Sequence, residues 1–200
     1  MRPLTIEGAW VRTPPVHRDH RGGFHEWFRD DEFRALTGRP ARLVQADCSV
    51  SKRGAVRGIH FADVPPGRAT FVTCVAGRVL DVVVDLRLGS TTFGQWEAVP
   101  LGADGGTAVY LSEGLGHAFQ ALTADATVVS LRSARYRPDV EHAVNPLDPA
   151  LGIKWPYNGC PLVSERDAAA PTLARAEELG ILPLYGDCLR SRSAAAGATA

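Results

Sequence analysis

The chain has 200 residues, 45% of them hydrophobic, and its 22 Lys+Arg balance 22 Asp+Glu to a formal net charge of zero. That length suits one all-β or mixed domain with a real core, and the balance leaves no basic surface for nucleic acid or an anionic membrane. No apolar run approaches the roughly 20 residues that cross a bilayer, and Met1-Arg2-Pro3-Leu4 lacks the apolar core of a signal peptide. Cys48, Cys74, Cys160 and Cys188 have no CxxC or zinc-type spacing, so we expect reduced thiols in a cytoplasmic protein.

Residues 4–12 are predicted as a first strand, ended by Thr13-Pro14-Pro15. Gly22-Gly23 marks a turn, after which Phe24, Glu26 and Phe28 alternate with His25 and Trp27 as a strand would. Residues 30–36 read as a short helix with Asp30 as N-cap and Gly38 as stop. Strands are predicted at 43–51, 56–61, 70–75, 80–86, 95–101, 108–111, 117–122 and 127–131, separated by Gly, Pro and Asp turns. Short strands at near-regular spacing suggest a sandwich or barrel. Asp81 and Asp85, set among β-branched residues, read as turn or network groups. After Tyr136 the texture becomes loop-like, with one helix over 172–179 between Pro171 and Gly180. A single domain is expected over 1–188, with 189–200 as a disordered tail of small residues.

The chemistry centres on Gly54-Ala55-Val56-Arg57-Gly58-Ile59-His60-Phe61. Strict alternation would send Arg57 and His60 to opposite faces of a sheet. Gly58 between them is a candidate bulge that would turn both to one cavity. His60 has no HxH partner and no carboxylate at ligand spacing, so no bound metal is expected. There is no phosphate-cradling glycine loop and no GxSxG elbow. Acid–base work by His60 remains. It needs a carboxylate to orient it, and spacing alone does not choose one.

The order of motifs resembles the dTDP-4-keto-6-deoxyhexose 3,5-epimerases, the dTDP-4-dehydrorhamnose epimerases of cupin fold. The matching pieces run from residue 4 to about 185. They are Arg21-Gly22 with Phe24 and Glu26, then Gln45 with Ser49 and Ser51, and Arg57-Gly58-Ile59-His60. Residues 81–87 with Ser90, Thr92, Phe93, Gly94 and Trp96 follow. Gly116-His117-Ala118-Phe119, Tyr136, Asp148-Pro149, Trp155-Pro156 and residues 164–167 complete the set. The resemblance implies an all-β, cupin-type double-sheet barrel (a jelly roll) with short peripheral helices. It also implies a homodimer with exchanged N-terminal strands, and no metal or nicotinamide cofactor.

Such enzymes act on a nucleotide-linked 4-keto sugar in deoxysugar biosynthesis, and secondary metabolism is the expected setting. A histidine removes a proton beside the ketone, and a tyrosine returns one on the opposite face. The resemblance implies His60 as base and Asp167 as its orienter. It places Arg21, Phe24, Glu26, Gln45, Arg57, His117 and Tyr136 around the substrate. The chain departs from the family at three positions. Thr70 stands where the family has a lysine, Ser130 where it has the tyrosine acid, and Asp47 where it has an asparagine. The resemblance therefore implies epimerisation at C3, C5 or both. The departures leave open an isomerase, cyclase or lyase acting on another carbonyl compound, or a non-catalytic homologue.

Overall fold

Turn residues cut the chain into short segments, and the β-branched runs between them form strands. The structure, a computed structural model, describes residues 1–197. In chain order the strands are β1 (Arg2–Pro3), β2 (Ala9–Arg12), β3 (His17–Asp19), β4 (Gly22–Phe24), β5 (Gln45–Ser51), β6 (Ala55–Ala62) and β7 (Thr70–Ala76). They continue as β8 (Arg78–Asp85), β9 (Trp96–Gly102), β10 (Ala108–Leu111), β11 (Leu115–Ala121), β12 (Ala126–Arg132), β13 (Glu141–Ala143) and β14 (Leu162–Val163). The helices are α1 (Asp30–Thr37), α2 (Glu165–Ala168), α3 (Leu173–Glu178) and α4 (Tyr185–Gly197).

One six-stranded sheet has the order β1-β2-β10-β7-β12-β5. The other runs β13-β6-β11-β8-β9, with β14 added in parallel to β6. The inward faces meet in a core of Val11, Val72, Val83, Val109, Phe119 and Val128. The outer face of the first sheet is covered by α1, Trp27 and Phe28, which pack on Phe71 and Tyr110. The outer face of the second is covered by the segment from Val144 to Leu182. This is the expected cupin-type double-sheet barrel, with helices only at its periphery.

The buried Asp85 carboxylate is paired through both of its oxygens. Asp85 accepts from Arg87 Nε at 2.8 Å and from the Ser90 and Thr92 hydroxyls at 2.6 Å each. Burial works to raise its carboxyl, and those donors outweigh it, so the pKa falls below the ordinary value. Asp85 is thus a network group, as its setting in the sequence suggested.

Three local expectations need correction. Residues 4–12 are not one strand: Gly8, at φ 88°, turns the chain between β1 and β2, where Leu4 N donates to Ala9 O at 2.9 Å. Asp30 is the first residue of α1 and not its cap. Its carboxylate accepts from Ala41 N at 2.9 Å and pairs with Arg34, while Gly38 ends the helix in the left-handed region as expected. The tail is the third. Residues 189–197 continue α4, and 198–200 lie outside the described residues. Small residues were read as disorder, but alanine is also the strongest helix former.

Candidate active site

His60 is placed by a break in the pairing of β6 with β11. His117 faces His60 and Phe119 faces Arg57, so three residues on β6 span two on β11. This is a bulge, and it brings Arg57 and His60 to one face of the sheet. Gly58 makes it sterically feasible. Its φ is 119°, and a Cβ there would stand 2.5 Å from both the Ala118 Cβ and the His117 carbonyl oxygen. The two side chains still part: Arg57 donates to Ser51 Oγ at 3.0 Å and to Val50 O at 3.3 Å, away from the His60 cavity.

His60 Nε2 lies 2.8 Å from Asp167 Oδ1, and Gly58 N donates to Asp167 Oδ2 at 3.4 Å. Ser164 caps α2 by accepting from Asp167 N at 3.1 Å, which fixes Asp167 at the back of β6. An ionised carboxylate only accepts, so Nε2 carries the hydrogen and Nδ1 keeps a lone pair. Burial acts to raise the Asp167 carboxyl, but the His60 bond and charge and the Gly58 amide outweigh it and hold it below the ordinary 3.8. A depressed carboxylate stabilises the fold above its unfolded pKa and loses that contribution as pH falls through its folded one. Asp167→Asn should therefore lose melting temperature less steeply than the parent between about pH 5 and pH 2. Parallel slopes in a calorimetric pH series would contradict this.

A second histidine stands beside the first. His117 Nε2 lies 2.6 Å from Asp81 Oδ2, and the Asp81 side chain is fully buried. His60 and His117 line a cavity of about 20 Å³ with Arg68, Thr70 and Arg132. A larger groove, of about 810 Å³, lies on the outer face of the first sheet, against Phe33, Phe71, Tyr110 and Leu131. Thr70 borders both, but the chemically equipped residues belong to the smaller one.

Opposite the histidines, Gln45, Arg132 and Thr70 form a row across β5, β12 and β7. Arg132 Nε donates to Asp47 Oδ2 at 2.5 Å, and Gln45 Nε2 donates to Asp47 Oδ1 at 2.7 Å. Asp47 therefore faces the pocket side with its charge already paired. Partial burial favours its protonated form, yet Gln45 and Arg132 hold its pKa down. Arg68 pairs with Glu141 on β13, and both side chains are buried. Burial and the neighbouring Arg132 charge pull the Arg68 guanidinium down to about 10.

The structure thus gathers His60, Thr70 and His117 at one cavity, with Asp167 bonded to His60 behind the lining and Gln45 and Asp47 behind Arg132. Ser130, also assigned a catalytic role, is buried on the same inward face of β12 as Arg132 but does not line the cavity. Tyr136 sits at the rim, half exposed, with its amide donating to Gln45 Oε1 at 2.8 Å. Arg21, Phe24 and Glu26 stand apart on and beyond the exposed β3–β4 hairpin, where Arg21 pairs with Asp19 and Phe24 is 67% exposed. Sequence reasoning passed over Arg132 and Glu141. The signal for Arg132 was in the alternation of β12, which puts a cation in phase with the buried Val128 and Ser130.

The family model for dTDP-4-dehydrorhamnose 3,5-epimerase matches residues 3–175. The chain belongs to this family. A dTDP-4-dehydro-6-deoxyglucose 3-epimerase of Streptomyces bikiniensis is 57% identical over 185 residues, covering 92% of this chain and 94% of the relative. The dTDP-4-dehydrorhamnose 3,5-epimerase family also supplies the structural neighbours. ChmJ, a 3'-monoepimerase from Streptomyces bikiniensis solved with dTDP-quinovose, superposes with a TM-score of 0.95 at 55% identity over 98% of this chain and 99% of that one. NovW, a 4-keto-6-deoxy sugar epimerase from the novobiocin biosynthetic gene cluster of Streptomyces spheroides, gives 0.92 at 55% identity over 94% of each chain. Within the family, then, this chain shares its fold with enzymes of antibiotic sugar synthesis.

Proposed function

We propose that the protein is an epimerase of a dTDP-linked 4-keto-6-deoxy sugar, acting at C3 in deoxysugar biosynthesis, with His60 as the base. The His60–Asp167 pair at 2.8 Å, on the wall of a small polar cavity, carries this reading. Asp167 fixes the ring and stabilises the imidazolium that forms when Nδ1 takes a proton. The ketone at C4 acidifies the neighbouring C–H bond, so a neutral imidazole is a base of suitable strength near pH 7. The 3-epimerase activity of the Streptomyces bikiniensis relative and the 3'-monoepimerase activity of ChmJ support C3 over C5.

The reading extends to a second copy. Arg21, Phe24 and Glu26 lie on an exposed hairpin and the irregular segment that follows it, away from the residues that line the His60 cavity of their own chain. A homodimer that exchanges these N-terminal segments would bring a cation and an aromatic ring to the partner's nucleotide, beside Gln45, Arg57 and Tyr136. The return of the proton is assigned to water, because Ser130 is buried outside the cavity lining and its hydroxyl lacks the acidity of a phenol.

One observation favours a different reading, a barrel reworked for another carbonyl compound: Thr70, Arg132 and Arg68 give this cavity a polar lining of their own. Calorimetric titration with dTDP separates the two. Micromolar binding is expected, and no binding would shift the assignment to the other carbonyl substrates.

A further inference from the structure

Removing a proton beside a ketone breaks the C–H bond. Its electron pair becomes a C3=C4 double bond, and the carbonyl pair moves onto oxygen. Preorganised donors for that oxygen are commonly the largest contribution to such catalysis. His60 accounts for the proton but not for the oxygen. The cavity beside it, about 20 Å³, has room for about one water and hence for one carbonyl oxygen.

Two guanidinium groups border that space. Arg132 is held by Asp47 at 2.5 Å through Nε, and its Nη1 donates to Thr70 Oγ1 at 3.4 Å. Among the described residues its Nη2 donates to no protein acceptor. Arg68 spends Nη1 on Glu141. Arg68, Thr70 and Arg132 line the cavity, whereas Asp47 and Glu141 do not. Each fork is therefore anchored by a carboxylate that lies outside the lining, and both guanidinium groups share that lining with the two histidines.

We propose that Arg132 and Arg68 together hold the C4 oxygen and stabilise the charge it gains when His60 takes the proton. This rests on the epimerase reading and names two catalytic residues within it. The carboxylates are part of the device: without them, two cations packed this closely would repel. The lowered pKa of Arg68, driven by burial and then by Arg132, reflects that crowding, which a negative oxygen between them would relieve. Thr70, whose hydroxyl carries no charge, serves as an acceptor that steadies Arg132.

The test is solvent deuterium uptake at C3 of dTDP-4-keto-6-deoxyglucose, read alongside dTDP affinity, for Arg132→Gln and Arg68→Gln. Glutamine keeps a donor for the anchoring carboxylate and removes the charge. Each variant should exchange about 10²–10³-fold more slowly while binding dTDP as the parent does. In Arg132→Ala, added guanidinium ion should restore part of the exchange; should that variant fail to fold, Arg132→Gln carries the test. Exchange at the parent rate in both glutamine variants would overturn the proposal. So would a loss of dTDP affinity as large as the loss of exchange, which would assign the arginines to the nucleotide. If the parent itself takes up no deuterium at C3 or C5, the epimerase reading is what has failed.

Discussion

His60→Gln is expected to lower proton exchange on the keto sugar by about 10²–10⁴-fold, the usual contribution of a positioned general base. Binding of dTDP should be unaffected. The substitution is chosen for what it leaves intact. The Asp167 side chain is only 5% exposed, and removing its partner outright would strand a buried charge. A glutamine amide reaches the place of Nε2 and can still donate to that carboxylate, so the fold survives while the basic nitrogen is gone. Solvent exchange followed by NMR, with a thermal melt as a control on folding, checks both halves. If exchange persisted at the parent rate, the base would have to lie elsewhere. His117, held by Asp81 at 2.6 Å across the same cavity, would be the first candidate.

The second large effect is structural. Gly58→Ala should destabilise the protein by about 2–5 kcal/mol, combining strain at a positive φ with overpacking against fixed backbone. The obstacles are the Ala118 Cβ and the His117 carbonyl, both 2.5 Å from the new methyl, and neither is the end of a flexible side chain. For a chain of this size the melting temperature should fall by ~5–20 °C. The protein that still folds should also exchange slowly. The bulge can be relieved only by moving His60 or its partner strand, and displacements near 1 Å are costly in a catalytic constellation. A variant with parental melting temperature and exchange would mean that the bulge does not position His60.

Much of this was legible from residue patterns. The strands of both sheets followed from β-branched runs and their turn residues, because one apolar face against another enforces a period of two. A glycine between Arg57 and His60 was enough to suggest the bulge. The His60–Asp167 contact was not readable that way. It joins residues 107 apart through the capped start of a four-residue helix, and only resemblance to a family implied it. Arg21, Phe24 and Glu26 illustrate another limit, since their proposed role belongs to a second copy of the chain. The pocket departures were visible but their meaning was not. Asp47 stands as a bare charge where the family has an asparagine, and its cross-strand setting pairs it with Arg132. Taken singly, Thr70 and Asp47 read as departures, and Arg132 drew no attention. As neighbours across β7, β12 and β5 they form one rebuilt wall.

That wall and the His60 dyad make a single claim: this barrel still forms an enolate beside a 4-keto group. Incubating the protein with dTDP-4-keto-6-deoxyglucose in D₂O and following the sugar by NMR tests it most directly. Deuterium should enter at C3, and exchange should outpace epimer formation because no phenolic acid waits on the opposite face. A substrate recovered with protons intact at both C3 and C5 would contradict the claim and direct attention to a different carbonyl compound for His60.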